Sequence, residues 1–174
     1  MKINSFNQNF GANIIKNTTY NNAFENAQRA NKVGCFSQTI EFINAVQAIQ
    51  NTDKFDTFEI QQKGSEVMPT GCLPDEFFEI KIDGKPYKFK DIEYRSLFGN
   101  RYDSAVTAGI MSFAQEYLGV DIEKYQPTKK YQAYAQITTN LMHKKEEVKE
   151  LTKEANIAHR ELIGEFEQKL NELA

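Results

Sequence analysis

Glu76-Phe77-Phe78-Glu79-Ile80-Lys81-Ile82 and Pro86-Tyr87-Lys88-Phe89-Lys90-Asp91-Ile92 flank Asp83-Gly84-Lys85. Both runs alternate apolar with polar residues, the period of a half-buried strand. Asp-Gly between such runs supports the positive-φ turn that matches strand twist, so residues 76–92 read as a β-hairpin. Phe78, Ile80 and Ile82 share one face, and Tyr87 and Phe89 share a face of the return strand. Pro86 has no N–H to donate, so the return strand starts late or lies at an edge. Most of the remaining chain reads as helix, and this hairpin makes the fold α+β.

Upstream, Phe55, Thr57 and Glu59 alternate with Asp56, Phe58 and Ile60, a further strand that Gly64 ends. Met68-Pro69-Thr70-Gly71-Cys72-Leu73-Pro74 reads as a rigid loop. Residues 53–79 carry a formal charge of −5 and residues 80–102 carry +3. Adjacent blocks of opposite sign suit a sheet with complementary charges across its strands.

Further upstream, Thr18 or Thr19 is placed to cap a helix whose Tyr20, Ala23, Phe24 and Ala27 fall on one face. Gly34 is its expected stop. A second helix, about Ser37 to Asn51, carries the stripe Ile40, Ile43, Val46 and Ile49. The short link between them predicts a helical hairpin. Residues 1–17 are Asn-rich without a sustained period and read as a flexible leader, with Phe6, Phe10, Ile14 and Ile15 as a candidate docking strip.

Downstream, Asp103 caps a helix to about Leu118 with Val106, Ile110, Phe113 and Tyr117 inward and Gly119 as its stop. Asp121 to Tyr125 allows one further turn. From Thr128 to Leu173 there is no proline and only Gly164 as glycine. A single helix of that length would run about 69 Å, against a diameter near 40 Å for a compact chain of this size. It must project, fold into a hairpin near Glu154 to Asn156, or pack on a partner. Tyr134, Ile137, Leu141, Lys144, Val148, Leu151, Ala155, Ala158 and Leu162 alternate in steps of 3 and 4, a weak heptad seam. Phe166, Leu170 and Leu173 continue it after a stutter.

The 174 residues carry a net charge of −3 and are 40% hydrophobic, enough for one folded domain and too balanced to argue for nucleic acid or acidic membranes. No segment is long and apolar enough to cross a membrane, and residues 1–10 lack a signal-peptide core. A cytoplasmic location with reduced Cys35 and Cys72 is expected. Phosphate-loop, dinucleotide-binding and nucleophile-elbow motifs are absent. On one straight helix His143 and His159 would lie about 24 Å apart, too far to share a metal. No metal, cofactor or small-molecule substrate is expected.

Two other chemistries have a basis in the residues. Cys35 precedes a helix, where partial positive charge favours a thiolate, and a folded-back His143 or His159 could serve as its base. The structural alternative is a small apolar residue at a helix start. Residues 80–102 interleave Lys81, Lys85, Lys88, Lys90, Arg95 and Arg101 with Tyr87, Phe89, Tyr94 and Tyr102, a pattern that can stack single-stranded bases. The same pattern arises when core aromatics alternate with solvated lysines.

The expected architecture is a helical hairpin and small antiparallel sheet packed on the 103–118 helix, followed by a long C-terminal helix. The expected division is leader 1–17, domain 18–125 and a long C-terminal helix 126–174, coiled-coil-like or folded into a helical hairpin. The expected function is non-catalytic association with a protein partner or with itself, as an assembly, adaptor or inhibitory subunit. Ile137, Leu141, Val148, Leu151, Leu162, Phe166 and Leu170 are the expected partner-binding residues.

Overall fold

A computed structural model describes residues 11–63, 78–90, 102–121, 129–143 and 148–174, except the side chains of 102–105, 129, 142, 143 and 148–151. In chain order these form β1 (Asn13–Ile14), α1 (Thr18–Lys32), α2 (Phe36–Gln50), β2 (Thr57–Gln62), β3 (Phe78–Ile82), β4 (Lys85–Tyr87), α3 (Tyr102–Leu118), α4 (Lys129–His143) and α5 (Val148–Leu173). The chain is α+β. No helix among the described residues is long and apolar enough to cross a membrane.

The four strands form one sheet in the order β1-β2-β3-β4. It is mixed rather than antiparallel throughout: β1 runs parallel to β2, with Asn13 opposite Thr57 and Ile14 opposite Phe58. Parallel neighbours need a crossover between them. Here the crossover is the α1–α2 hairpin, which lies between β1 and β2 in sequence. The expected leader is therefore corrected from residue 11 onward, while residues 1–10 lie outside the description. Ala12 and Ile14 are buried, and the Asn13 and Ile15 amides donate to the Asp56 and Phe58 carbonyls. Gly11 lies so close to α2 that a β-carbon there would sit 2.0 Å from the Gln50 carbonyl oxygen.

The outer edge of β2 continues past β1, and side chains close it. Asn17, one residue before the expected threonines, caps α1 by accepting from the Tyr20 amide at 3.0 Å. Its own amide nitrogen donates to the Ile60 carbonyl at 2.8 Å. The Thr19 hydroxyl accepts from the Gln62 amide at 3.1 Å. The start of α1 thereby satisfies ladder groups that would otherwise invite another strand.

The Asp-Gly turn forms as expected. Asp83 and Gly84 both have positive φ, at 49° and 74°, matching the primed two-residue turn. Asp83 Oδ1 also accepts from the Asp56 and Thr57 amides at 2.9 and 2.8 Å, fastening the entry of β2 to the turn. Those donors, the Thr57 amide foremost, together with the Lys85 charge, hold the Asp83 carboxyl below the usual carboxylate range against the opposing effect of desolvation. Pro86 sits on the edge strand β4, opposite Lys81. On the polar face Glu79 lies 3.5 Å from Lys63 and 3.4 Å from Lys81, where the acidic and basic sequence blocks meet.

The inner face of the sheet meets α3. Phe58 and Ile60 of β2 and Phe78 and Ile80 of β3 are buried, with Ile82 packed against the same core. A β-carbon at Gly109 would sit 2.3 Å from the Phe78 ring, so the missing side chain lets helix and sheet approach. Phe113 stacks on Tyr117 at 5.2 Å and meets Phe58 and Tyr87 at 5.0 and 5.1 Å. The expected stripes of α1 and α2 are buried in full. Gly34 ends α1 with φ +80°, and the amides of Gly34 and Cys35 donate back to the Asn31 and Ala30 carbonyls. This is a Schellman closure.

The C-terminal segment takes the hairpin form, with α4 and α5 packed against each other, and α5, at 26 residues, is the long C-terminal helix. The expected turn at Glu154 to Asn156 is not where the chain reverses, since those residues lie inside α5. Residues 144–147, between α4 and α5 in sequence, lie outside the description.

Candidate interaction surface on the C-terminal hairpin

The seam residues divide between the two helices. Leu162, Phe166, Leu170 and Leu173 of α5 are buried in the core, each at most 5% exposed. Phe166 meets the Phe36 ring at 5.6 Å. Asn31 reaches from α1 to donate to the Ile163 carbonyl at 2.9 Å. Lys16 donates to the Ala174 carbonyl, where the negative end of the α5 dipole favours a cation. Leu162, Phe166 and Leu170 are thus corrected from partner-binding residues to core residues. Their spacing did mark a buried face, but the face is covered by α1 and α2 of the same chain.

α4 behaves differently. It packs along α5 and meets α2 through Tyr134, whose ring lies 5.7 Å from Phe36. None of its described side chains is fully buried. Tyr131, Tyr134, Ile137, Thr138 and Leu141 form its half-buried inner side, and Gln132, Ala133, Gln136 and Thr139 are exposed. Of the expected contact residues, Ile137 and Leu141 stay partly accessible, while the side chains of Val148 and Leu151 lie outside the description.

The outward face of α4 has one property that heptad spacing does not show. From Tyr131 to Met142 the sequence contains no Asp, Glu, Lys, Arg or His. On α5 the exposed positions include Lys153, Glu154, Arg160, Glu161, Glu167 and Glu172. Thr138 and Thr139 donate their hydroxyls to carbonyls of their own helix, Thr139 to Ala135 at 2.8 Å. Their hydroxyl protons therefore need no outside acceptor. Interface centres are depleted in charge in the same way. The signal lay in the sequence as a gap in the charge pattern.

At the junction with the body, His159 lies between the Phe36 and Tyr134 rings, at 5.3 and 5.9 Å. Its Nε2 would be 2.5 Å from a β-carbon at Gly34. One histidine is thus folded back to the residues on either side of Cys35. Cys35 is half-buried at the N-cap of α2, and its side chain makes no capping hydrogen bond. Cys72 and the His143 side chain fall outside the description. Among the described residues no three His, Cys, Asp or Glu side chains gather as a metal-binding group.

The basic hairpin uses its described aromatics inside the protein. Tyr87 meets Phe89, Phe113 and Tyr117 within 5.4 Å, and its hydroxyl donates to Glu116 at 2.5 Å. Burial, then that carboxylate, raises the Tyr87 phenol well above its usual range. The Lys90 amide donates to the same carboxylate at 2.9 Å, holding the residues after β4 against α3. Lys81 is engaged by Glu79 and Gln61. Tyr94, Arg95 and Arg101 lie outside the description.

No family model, curated protein or solved structure matches this chain.

Proposed function

We propose that the protein is a non-catalytic association module, with α1–α3, the sheet and the C-terminal half of α5 as its folded body and the outward face of α4 as its binding element. The observation that carries this reading is the position of α4. None of its described side chains is fully buried, and from Tyr131 to Met142 it carries no charged residue. A helix kept only for folding buries an apolar stripe and solvates its other face with charged or polar residues. α5 uses charge for that face, whereas α4 from Tyr131 to Met142 uses only uncharged residues.

The test is a paired variant, Ala133→Glu with Thr139→Glu, at two exposed positions that glutamate fits as a helix former. Circular dichroism and thermal unfolding should remain near wild type. Sedimentation, together with affinity capture from the native cell, should show loss of self-association or of bound protein. Unchanged sedimentation and an unchanged bound set would contradict the proposal.

A further inference from the structure

We infer that Asp83-Gly84 is a site of spontaneous aspartyl isomerisation that the fold holds closed, so that release of the β2 entry from the hairpin turn becomes a permanent covalent change.

The chemistry needs only these two residues and water. The chain contains one Asp-Gly pair and no Asn-Gly. Glycine has no side chain to shield its amide nitrogen or restrict its backbone. That nitrogen attacks Asp83 Cγ, a C–N bond forms, and the carboxyl hydroxyl leaves as water with the amide proton. The reacting form is therefore the protonated acid. Water then breaks one of the two C–N bonds of the five-membered ring. Breaking the new bond restores aspartate. Breaking the original peptide bond routes the main chain through Cβ and Cγ as isoaspartate.

The structure opposes the attack at the carboxyl rather than at the nitrogen. Asp83 and Gly84 are both exposed, and nothing lies within 4 Å of a β-carbon built at Gly84, so crowding gives no shield. Asp83 Oδ1 instead accepts from the Asp56 and Thr57 amides at 2.9 and 2.8 Å and from the Thr57 hydroxyl at 3.3 Å. The Asp83 amide donates to the Thr57 carbonyl at 3.1 Å. Side chain and main chain are both tied to the entry of β2, and swinging Cγ onto the Gly84 nitrogen means leaving those donors. The same donors favour the ionised carboxylate, which is not the reacting form.

Release of that grip has a lasting result. The turn pairs Ile82 with Lys85 and sets Phe58 opposite Ile82. Isoaspartate lengthens the turn by a backbone atom and draws the carboxylate back by a carbon, so the turn and its hold on β2 do not re-form together.

The test follows the two isomers of tryptic peptide 82–88 by chromatography, in folded chains and in chains unfolded by guanidinium at neutral pH. Folded chains should isomerise at least about tenfold more slowly, since only the opened fraction reacts. Equal rates overturn the inference. Lys54→Gly supplies an internal control, a second Asp-Gly pair in an exposed stretch where Asp53 accepts no hydrogen bond among the described residues. In that folded variant Asp53 should isomerise at least about tenfold faster than Asp83. Equal rates at the two pairs would assign the protection to folding alone and overturn the role of the grip. Chains isomerised in denaturant and returned to buffer should unfold at a lower guanidinium concentration than unmodified chains from the same sample. Matching midpoints would overturn the permanent consequence.

Discussion

α4 and α5 are neighbours in sequence and packed against each other, yet they answer to different constraints. α5 sends Leu162, Phe166, Leu170 and Leu173 into the core and exposes a mainly charged and polar side that also carries Ile157. α4 buries nothing completely among its described side chains and carries no charged residue from Tyr131 to Met142. Their shared 3–4 spacing reports that each has an inner face. It does not say whether that face is finished by the same chain or by another. On the proposed reading, the charge pattern of the opposite face separates the two cases.

The sharpest way to break the comparison is truncation at matched seam positions. Phe166→Ala removes a ring that touches Phe36 at 1% exposure and should cost about 3–5 kcal/mol. Ile137→Ala on half-buried α4 should cost about 1 kcal/mol or less, since truncation penalties shrink with burial. Urea unfolding of both variants measures the gap, and equal losses would show that α4 carries the core as α5 does.

The joint between hairpin and body is the next place to press. Gly34→Ala meets both a positive φ and the His159 ring, and should cost about 1–3 kcal/mol. A thermal melt within error of wild type would mean that the α1–α2 turn yields easily and does not fix α5.

A smaller effect tests the sheet, away from the hairpin. Asp83 has a lowered pKa when folded, so its contribution is present above its unfolded pKa of about 3.9 and fades as pH falls through the folded value. Asp83→Asn keeps a residue that tolerates positive φ while removing the charge. The difference in urea midpoint between wild type and variant should be clear at pH 6 and should narrow below pH 4. A gap independent of pH would assign the effect to the turn alone.

Gly164→Ala should be the gentlest change. The position is exposed inside α5 with open space around it, so alanine should stabilise by up to about 1 kcal/mol without altering association. Melting temperature and sedimentation together check both halves of that statement.

Much of the body was legible in the sequence because its signals are local. The α1 and α2 stripes, the Asp83-Gly84 turn and Gly34 each act within a few residues. The parallel pairing of Asn13–Ile14 with β2 was not legible. Two residues carry no period, and a contact across forty-odd positions leaves no local mark. A fold-back of the last segment was among the options, but its place was missed for a different reason. Lys144-Lys145-Glu146-Glu147 are helix formers, so propensity offers no stop between α4 and α5. For the candidate site, periodicity picked out Ile137 and Leu141, which lie on the half-buried inner side of α4, and assigned Leu162, Phe166 and Leu170 to a partner when α1 and α2 cover them. The uncharged run from Tyr131 to Met142 went unread because it is defined by missing charges.

Hydrogen exchange at two protein concentrations tests most directly whether α4 serves association while α5 serves folding. Amides of α4 should exchange more slowly at high concentration, and those of residues 160–173 should exchange at the same slow rate at both. α4 protection that matches α5 and does not change with concentration would contradict the account.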